Sequence, residues 1–196
     1  MKKFFRIISK IDIKEKNLVK GIKMEGLRVL GKAEDFAKFY FNNGADEIIF
    51  QDIMASLYGV NTIYETIKIS SSSIFIPISV GGGIRSEKDI KKILRSGADK
   101  IILNSAAIKD PSLIKKSSEL FGSSTIAISI ECLEDKGTFF ACTENARNKT
   151  SLNVLDWAKE AEKLGAGEIV LTLIKKDGTG QGCNFDFIEK IRNKLK

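Results

Sequence analysis

One phrase returns three times at the same place in the pattern: "NGADEII" at residues 43–49, "SGADKII" at 96–102 and "LGAGEIV" at 164–170. Each copy is a helix end, a glycine turn, a small residue, a charged residue and the start of an apolar run. This recurrence constrains the fold more than any single motif, because one βα unit used repeatedly must bury the same face each time. Six short, β-branched runs carry the pattern, at residues 4–13, 46–53, 73–80, 99–105, 124–131 and 167–174. They are apolar almost without interruption, as parallel strands covered on the outside are. Helical patterns lie between them: "AEDFAKFYFNN", "SEKDIKKILRSG", "DPSLIKKSSELFG" and "NVLDWAKEAEKLG". Ser86 and Asp110 stand at N-cap positions, Pro111 at a first helical position, and glycines close three of the helices.

Uninterrupted strand–helix alternation predicts a parallel α/β fold. A doubly wound open sheet would place GxGxxG after the first strand, and "DIKEKNLVKG" is not that turn. A (β/α)8 TIM-type barrel is the better expectation, as one domain over residues 1–196. Only about six βα units are legible, the last ending in "DFIEKIRNKLK", where eight close a barrel. The expectation is therefore an incomplete barrel. Its outer strands would be open edges, so either the chain is truncated or something else covers them.

The chain has 196 residues, 43% apolar and 29% charged, which suits one core of ordinary size. No apolar run approaches the ~20 residues of a membrane span. "MKKFFRIISKIDIK" reads as a first strand rather than a signal peptide, because charges return at Arg6, Lys10 and Asp12. Cys132, Cys142 and Cys183 form an odd set without metal-ligand spacing. They suggest a reducing cytoplasm, with no disulfide framework and no zinc site. The net charge of +7 comes from basic residues spread at helix spacing. Solvated helix faces explain them, with a preference for small anions as the functional alternative; no nucleic-acid module is visible. There is no histidine, so proton transfer must use carboxylates, lysine, tyrosine, cysteine or water.

In a barrel of this type, function sits at the C-terminal strand ends. There the sequence places Asp12, Asp52, the glycines 81–83, Asn104, Ser105, Glu131, Thr172 and the "KKDGTGQG" segment with Asp177, Gly178 and Thr179. A carboxylate closing an apolar strand is costly unless paired or solvated. Asp12 and Glu131 fall on strands one and five, opposite in an eight-strand ring, where one can act as base and the other as acid. Strand-end capping is the alternative, and it suits Asp52 better. The three glycines expose backbone N–H groups before a helix, a phosphate cradle to which "NSAA" adds an amide and a hydroxyl. The alternative is a tight βα turn, for which one glycine suffices.

With these segments assembled, "RIISKIDIKEKNLVKG", "DEIIFQDIMAS", "VGGGIRS", "GADKIILNSAAI", "FGSSTIAISIE" and "GAGEIVLTLIKKDGTGQG" resemble the cyclase subunit family of imidazole glycerol phosphate synthase (HisF) over nearly the whole chain. The resemblance implies a cytoplasmic lyase and cyclase of histidine biosynthesis that needs no cofactor and no metal. It implies a heterodimer with a glutaminase subunit, whose ammonia crosses the barrel to a small substrate phosphorylated at both ends. No nucleic acid or membrane partner is implied. Asp12 matches the family's main acid–base residue, and Glu131 stands where an aspartate is usual. Lys20 matches the lysine of a mobile first loop. Gly82 and Gly83 with Asn104 and Ser105 match one phosphate site; Asp177 and Gly178 match part of the second. Arg6, Glu47, Lys100 and Glu168 match a charged ammonia gate at the opposite barrel face, and Asp99 a position facing the glutaminase.

Three readings follow: a cyclase of this kind, a subunit that channels ammonia to a surface-polysaccharide sugar, and a non-catalytic or degenerate fragment.

Overall fold

The computed structural model describes residues 5–55 and 63–195. It is an α/β fold with a mixed sheet, consistent with a TIM-type barrel. The chain divides into two units, Met1–Val19 with Val29–Ile101 and Lys20–Arg28 with Ile102–Lys196. No helix among the described residues is long and apolar enough to cross a membrane.

In the first unit, β1 (Ile8–Lys14) pairs in parallel with β4 (Glu47–Asp52), and β4 with β5 (Ile78–Gly81). Helices α1 (Ala33–Asn42), α2 (Ile63–Ser71) and α3 (Glu87–Arg95) belong to the same unit. Side chains alternate across each strand. Ile11 and Ile13 of β1 and Ile48 and Phe50 of β4 are buried, as are Ile63, Ile67, Ile90 and Ile93 of the helices. Ser86 caps α3 through the Asp89 N–H, as its position predicts.

The recurring phrase has a local cause. Asp46 donates its N–H to the Ile7 carbonyl at 2.8 Å, and its Oδ2 accepts the Ile7 N–H at 2.7 Å. Asp99 repeats the clasp on Ile78, at 2.8 Å for each bond. Each aspartate thus ties a new strand to the start of its neighbour. In the third copy Gly167 donates its N–H to the Ile126 carbonyl at 2.9 Å. A Cβ there would stand 2.4 Å from the Ser123 carbonyl oxygen, so the acidic residue gives way to glycine.

In the second unit, β7 (Ile126–Asp135) pairs in parallel with β10 (Glu168–Leu173) and antiparallel with β8 (Thr138–Thr143), which pairs antiparallel with β9 (Asn148–Asn153). The helices are α4 (Ser105–Lys109), α5 (Ser112–Phe121), α6 (Val154–Lys163) and α7 (Phe185–Arg192). Asn153 and Asn184 cap α6 and α7 through backbone N–H groups. Phe139 of β8 stacks on Phe187 of α7, with ring centroids 3.7 Å apart. The strand β6 (Lys100–Leu103) contains the division between the units.

Several boundaries differ from the sequence expectation. The first strand begins at Ile8, where pairing to Glu47 starts; Phe5 and Ile7 are exposed, and Phe4 lies outside the described residues. The third begins at Ile78, because Pro77 has no N–H to give a ladder. The fifth continues past Glu131 to Asp135, carried on by its antiparallel partner. Pro111 has helical φ but precedes the first residue of α5. Two antiparallel additions, β8–β9 and the pair β2 (Asn17–Ile22) and β3 (Glu25–Lys32), have no counterpart in the strand–helix alternation.

Candidate active site

Strand parity sorts the polar residues of the first unit. Lys10 and Asp12 share the face of β1 opposite Ile11 and Ile13, and Lys10 Nζ lies 3.2 Å from Asp12 Oδ1. Gln51 of β4 stands beside Asp12 in register. Asp52 belongs to the other face, with Ile48 and Phe50. Its Oδ1 accepts the N–H groups of Met54 and Ala55, each at 2.9 Å. Burial raises the Asp52 carboxyl above its ordinary value, and those two N–H groups oppose the rise. Asp52 is thus a turn cap at the end of β4.

The glycine cluster follows that cap. Gly82 has φ +103°, and a Cβ on it would stand 2.0 Å from the Asp52 carbonyl oxygen. Gly83 has φ +68°, and its Cβ would stand 2.5 Å from that of Ala55. Two consecutive glycines are therefore required to pass the Asp52–Ala55 turn, one more than a simple βα turn needs.

At the opposite end of the same β4 face sits Glu47, four residues before Gln51 and so roughly 13 Å along the strand. It is only 1% exposed and is ringed by donors. Arg6 Nη1 lies 2.9 Å and Lys100 Nζ 3.2 Å from Oε2, while Ser79 Oγ donates to Oε1. The structure thus brings Arg6 and Lys100 of the expected gate together around the Glu47 carboxylate. Glu168 opens β10 in the second unit, in register with Ala127. A buried carboxylate is tolerable only with such compensation. Asp99, expected at a partner surface, is exposed, and its carboxylate holds the Ile78 N–H.

In the second unit Glu131 is buried, beside Thr172 of β10 and Cys142 of β8. Its Oε2 accepts the Ala146 N–H at 2.7 Å. Ser105 opens α4, and its Oγ accepts the Glu144 N–H at 2.9 Å. The Asn104 Oδ1 just before it is buried and accepts no hydrogen bond. Lys20 lies in the strand β2, not in a loop, and its Nζ stands 2.9 Å from Asp177 Oδ1. The Asp177 carbonyl accepts the Lys23 N–H at 2.7 Å. Gly178, φ +70°, passes so close that a Cβ would stand 2.1 Å from the Gly21 carbonyl oxygen. Lys20, Asp177 and Gly178 therefore form one local assembly.

The sequence reading missed Lys10, Gln51, Ser79 and the Glu144–Ala146 turn. Period-two parity would have flagged Lys10, which shares a face with Asp12. Ser79 is a polar residue inside an apolar run. The turn has no comparable signal.

The fold and these groups define a class: an α/β protein with a mixed sheet, consistent with a TIM-type barrel, that carries carboxylates and glycine turns at the ends of its parallel strands. Within that class the chain belongs to the histidine biosynthesis protein family, whose model matches residues 6–196. It is 45% identical over 187 residues to an imidazole glycerol phosphate synthase subunit HisF of Legionella pneumophila, covering 95% of this chain and 88% of that one. Similar subunits of Lysinibacillus sphaericus (43% over 189 residues) and Staphylococcus aureus (41% over 190) are matched over 95% and 96% of this chain and 75% of theirs.

Proposed function

We infer that this chain is the cyclase subunit of an imidazole glycerol phosphate synthase. As a single catalytic domain over residues 1–196, it uses ammonia to close the imidazole ring of a phosphorylated ribulosyl aminoimidazole carboxamide intermediate. The sequence likeness to the HisF subunits carries this reading. The local geometry supports it: Asp12 lies beside Lys10 and Gln51 at the end of β1, and Glu131 is held by a backbone N–H near the end of its unit's parallel pair.

In this reading Asp12 and Glu131 exchange the protons of ammonia addition and of cleavage, the work histidine often does elsewhere. Lys20, Gly82, Gly83, Asn104, Ser105, Asp177 and Gly178 receive the phosphates. Arg6, Glu47, Lys100 and Glu168 guard ammonia entry, with Asp99 near a glutaminase partner in a cytoplasmic complex. With six βα units in this reading, the barrel is of the incomplete (β/α)8 type.

The test is turnover of the ribulosyl intermediate with an ammonium salt, by purified chain, followed as release of the aminoimidazole carboxamide ribonucleotide. Asp12→Asn and Glu131→Gln are expected to lose roughly 100- to 10,000-fold in kcat, the span of a lost acid–base group. Full activity in both variants rejects the assignment. Glutamate at position 131 also motivates a second reading, ammonia delivery to a sugar acceptor. Amidation of that sugar by a partner enzyme, rising when this chain is added, would favour it.

A further inference from the structure

The turn between β8 and β9 is unusual. Glu144, Asn145 and Ala146 are three consecutive non-glycine residues in the left-handed region, with φ of 55°, 57° and 64°. L-residues adopt that conformation singly and rarely, and a run of three persists only where surrounding contacts determine it. The contacts are specific. Glu144 N–H donates to Ser105 Oγ at 2.9 Å, and Ala146 N–H donates to Glu131 Oε2 at 2.7 Å. Asn148 Nδ2 closes the turn from outside on Glu144 Oε2 at 3.0 Å. The first and third residues of the turn thus grip two side chains that stand among the polar strand-end groups of the same unit.

A hydrogen bond restrains both of its partners. Glu131 has three rotatable side-chain bonds, and its carboxylate is buried, so its position depends on what grips it. The Ala146 N–H is such a grip, aimed by a turn that Ser105 and Asn148 hold in place. A two-residue hairpin turn would join β8 to β9 with at most two left-handed residues rather than three, but it would offer no N–H at that point.

We propose that the Glu144–Asn145–Ala146 turn is the positioning element for Glu131: the Ala146 N–H sets the carboxylate, and Ser105 anchors the turn. This rests on Glu131 being an acid–base residue of the cyclase reaction. Ala146 and Glu144 touch no substrate in the proposal; they act through Glu131 and Ser105. Because the Ala146 N–H favours the charged carboxylate, its loss moves the titration of Glu131 upward.

The experiment has two arms on the full chain. In the first, the Ala146 amide is followed by ¹⁵N–¹H spectroscopy and hydrogen exchange. Glu131→Ala is expected to shift its resonance and speed its exchange at least ~10-fold, while Thr138→Ala, at the exposed start of β8 far from the turn, leaves both in place. An amide indifferent to Glu131→Ala overturns the proposal. In the second arm the 146 amide is replaced by an ester, which removes only the N–H. Expected are a kcat lower by roughly 10- to 100-fold with KM within about twofold, and an acid limb of the kcat–pH profile moved to higher pH. Glu131→Gln in the ester background should add little further loss. Unchanged kcat, or losses that simply multiply, overturns the proposal. If the ester chain does not fold, the spectroscopic arm decides the positioning claim. A wild-type chain without turnover rejects the cyclase reading instead, and the spectroscopic arm then decides the positioning claim alone.

Discussion

Lys100 Nζ lies 3.2 Å from Glu47 Oε2, joining two charged residues 53 positions apart at the strand starts of the first unit. Glu47 is 1% exposed, and the Lys100 side chain is 14% exposed against 50% for Arg6. The two cations are therefore unequal. Removing the partner of a buried charge costs far more than removing a solvated one. Lys100→Met should lower stability by roughly 2–4 kcal/mol and Arg6→Ala by about 1 kcal/mol or less, read by urea denaturation. Glu47→Gln with Lys100→Met should recover part of the loss. Equal effects of the two single cation variants would contradict this ranking.

Gly82 and Gly44 separate conformational strain from steric conflict. Both have left-handed φ, but nothing stands within 4 Å of a Cβ at Gly44, while at Gly82 the Asp52 carbonyl oxygen stands at 2.0 Å. Gly44→Ala should cost about 1 kcal/mol, the left-handed penalty alone. Gly82→Ala should cost at least ~3 kcal/mol, because backbone must move. Thermal denaturation of the two variants gives the comparison.

Asp52 makes stability fall with rising pH. Burial raises its folded-state carboxyl above the ordinary value of 3.8. The native chain then holds a proton that the unfolded chain has already released. Stability from this group is present below the unfolded value and declines as pH rises through the raised folded value. Asp52→Asn keeps an acceptor for the Met54 and Ala55 N–H groups without the buried charge. It should be neutral or stabilising at pH 7 and lose that advantage near pH 4, measured by denaturant midpoints. A variant less stable at pH 7 than at pH 4, relative to wild type, would refute this.

The three thiols should react unequally. Burial pushes the Cys132 thiol up to about 12, with Cys142 and Glu131 adding to the rise, and burial also raises Cys142. Cys183 is exposed. A thiol reagent at pH 8 should label one cysteine quickly in the native chain and all three in denaturant, because the thiolate is the nucleophile. Two fast native thiols would show that β7 and β8 open more readily than their burial implies.

The βα pattern was legible because it is written locally. Glycine turns, β-branched runs and helix periodicity each act within a few residues, and they located all six parallel-type runs to within a few positions. Strand bounds drifted where pairing, not composition, sets the end: Phe5 and Ile7 are apolar yet exposed, and β7 outruns its apolar stretch on the strength of β8. The hairpins β2–β3 and β8–β9 were not legible, because their turns reach left-handed φ without glycine, whereas the β7–β8 turn at Lys136–Gly137 does carry one. Lys23 and Met24 adopt left-handed φ without glycine, as do Glu144, Asn145 and Ala146.

For the site, the sequence by itself determined which residue types stand at the strand ends, because strand termini follow from local pattern. Tertiary structure decided what each one does there. It turned Asp52 to the other face from Asp12, a consequence of one residue of parity. It joined Lys20 to Asp177, 157 positions away. It also gave Glu131 a backbone N–H from a turn that no local signal marks. Such pairings depend on which segments pack together, and packing is set by the whole chain at once, so nothing within a few residues of either partner encodes them.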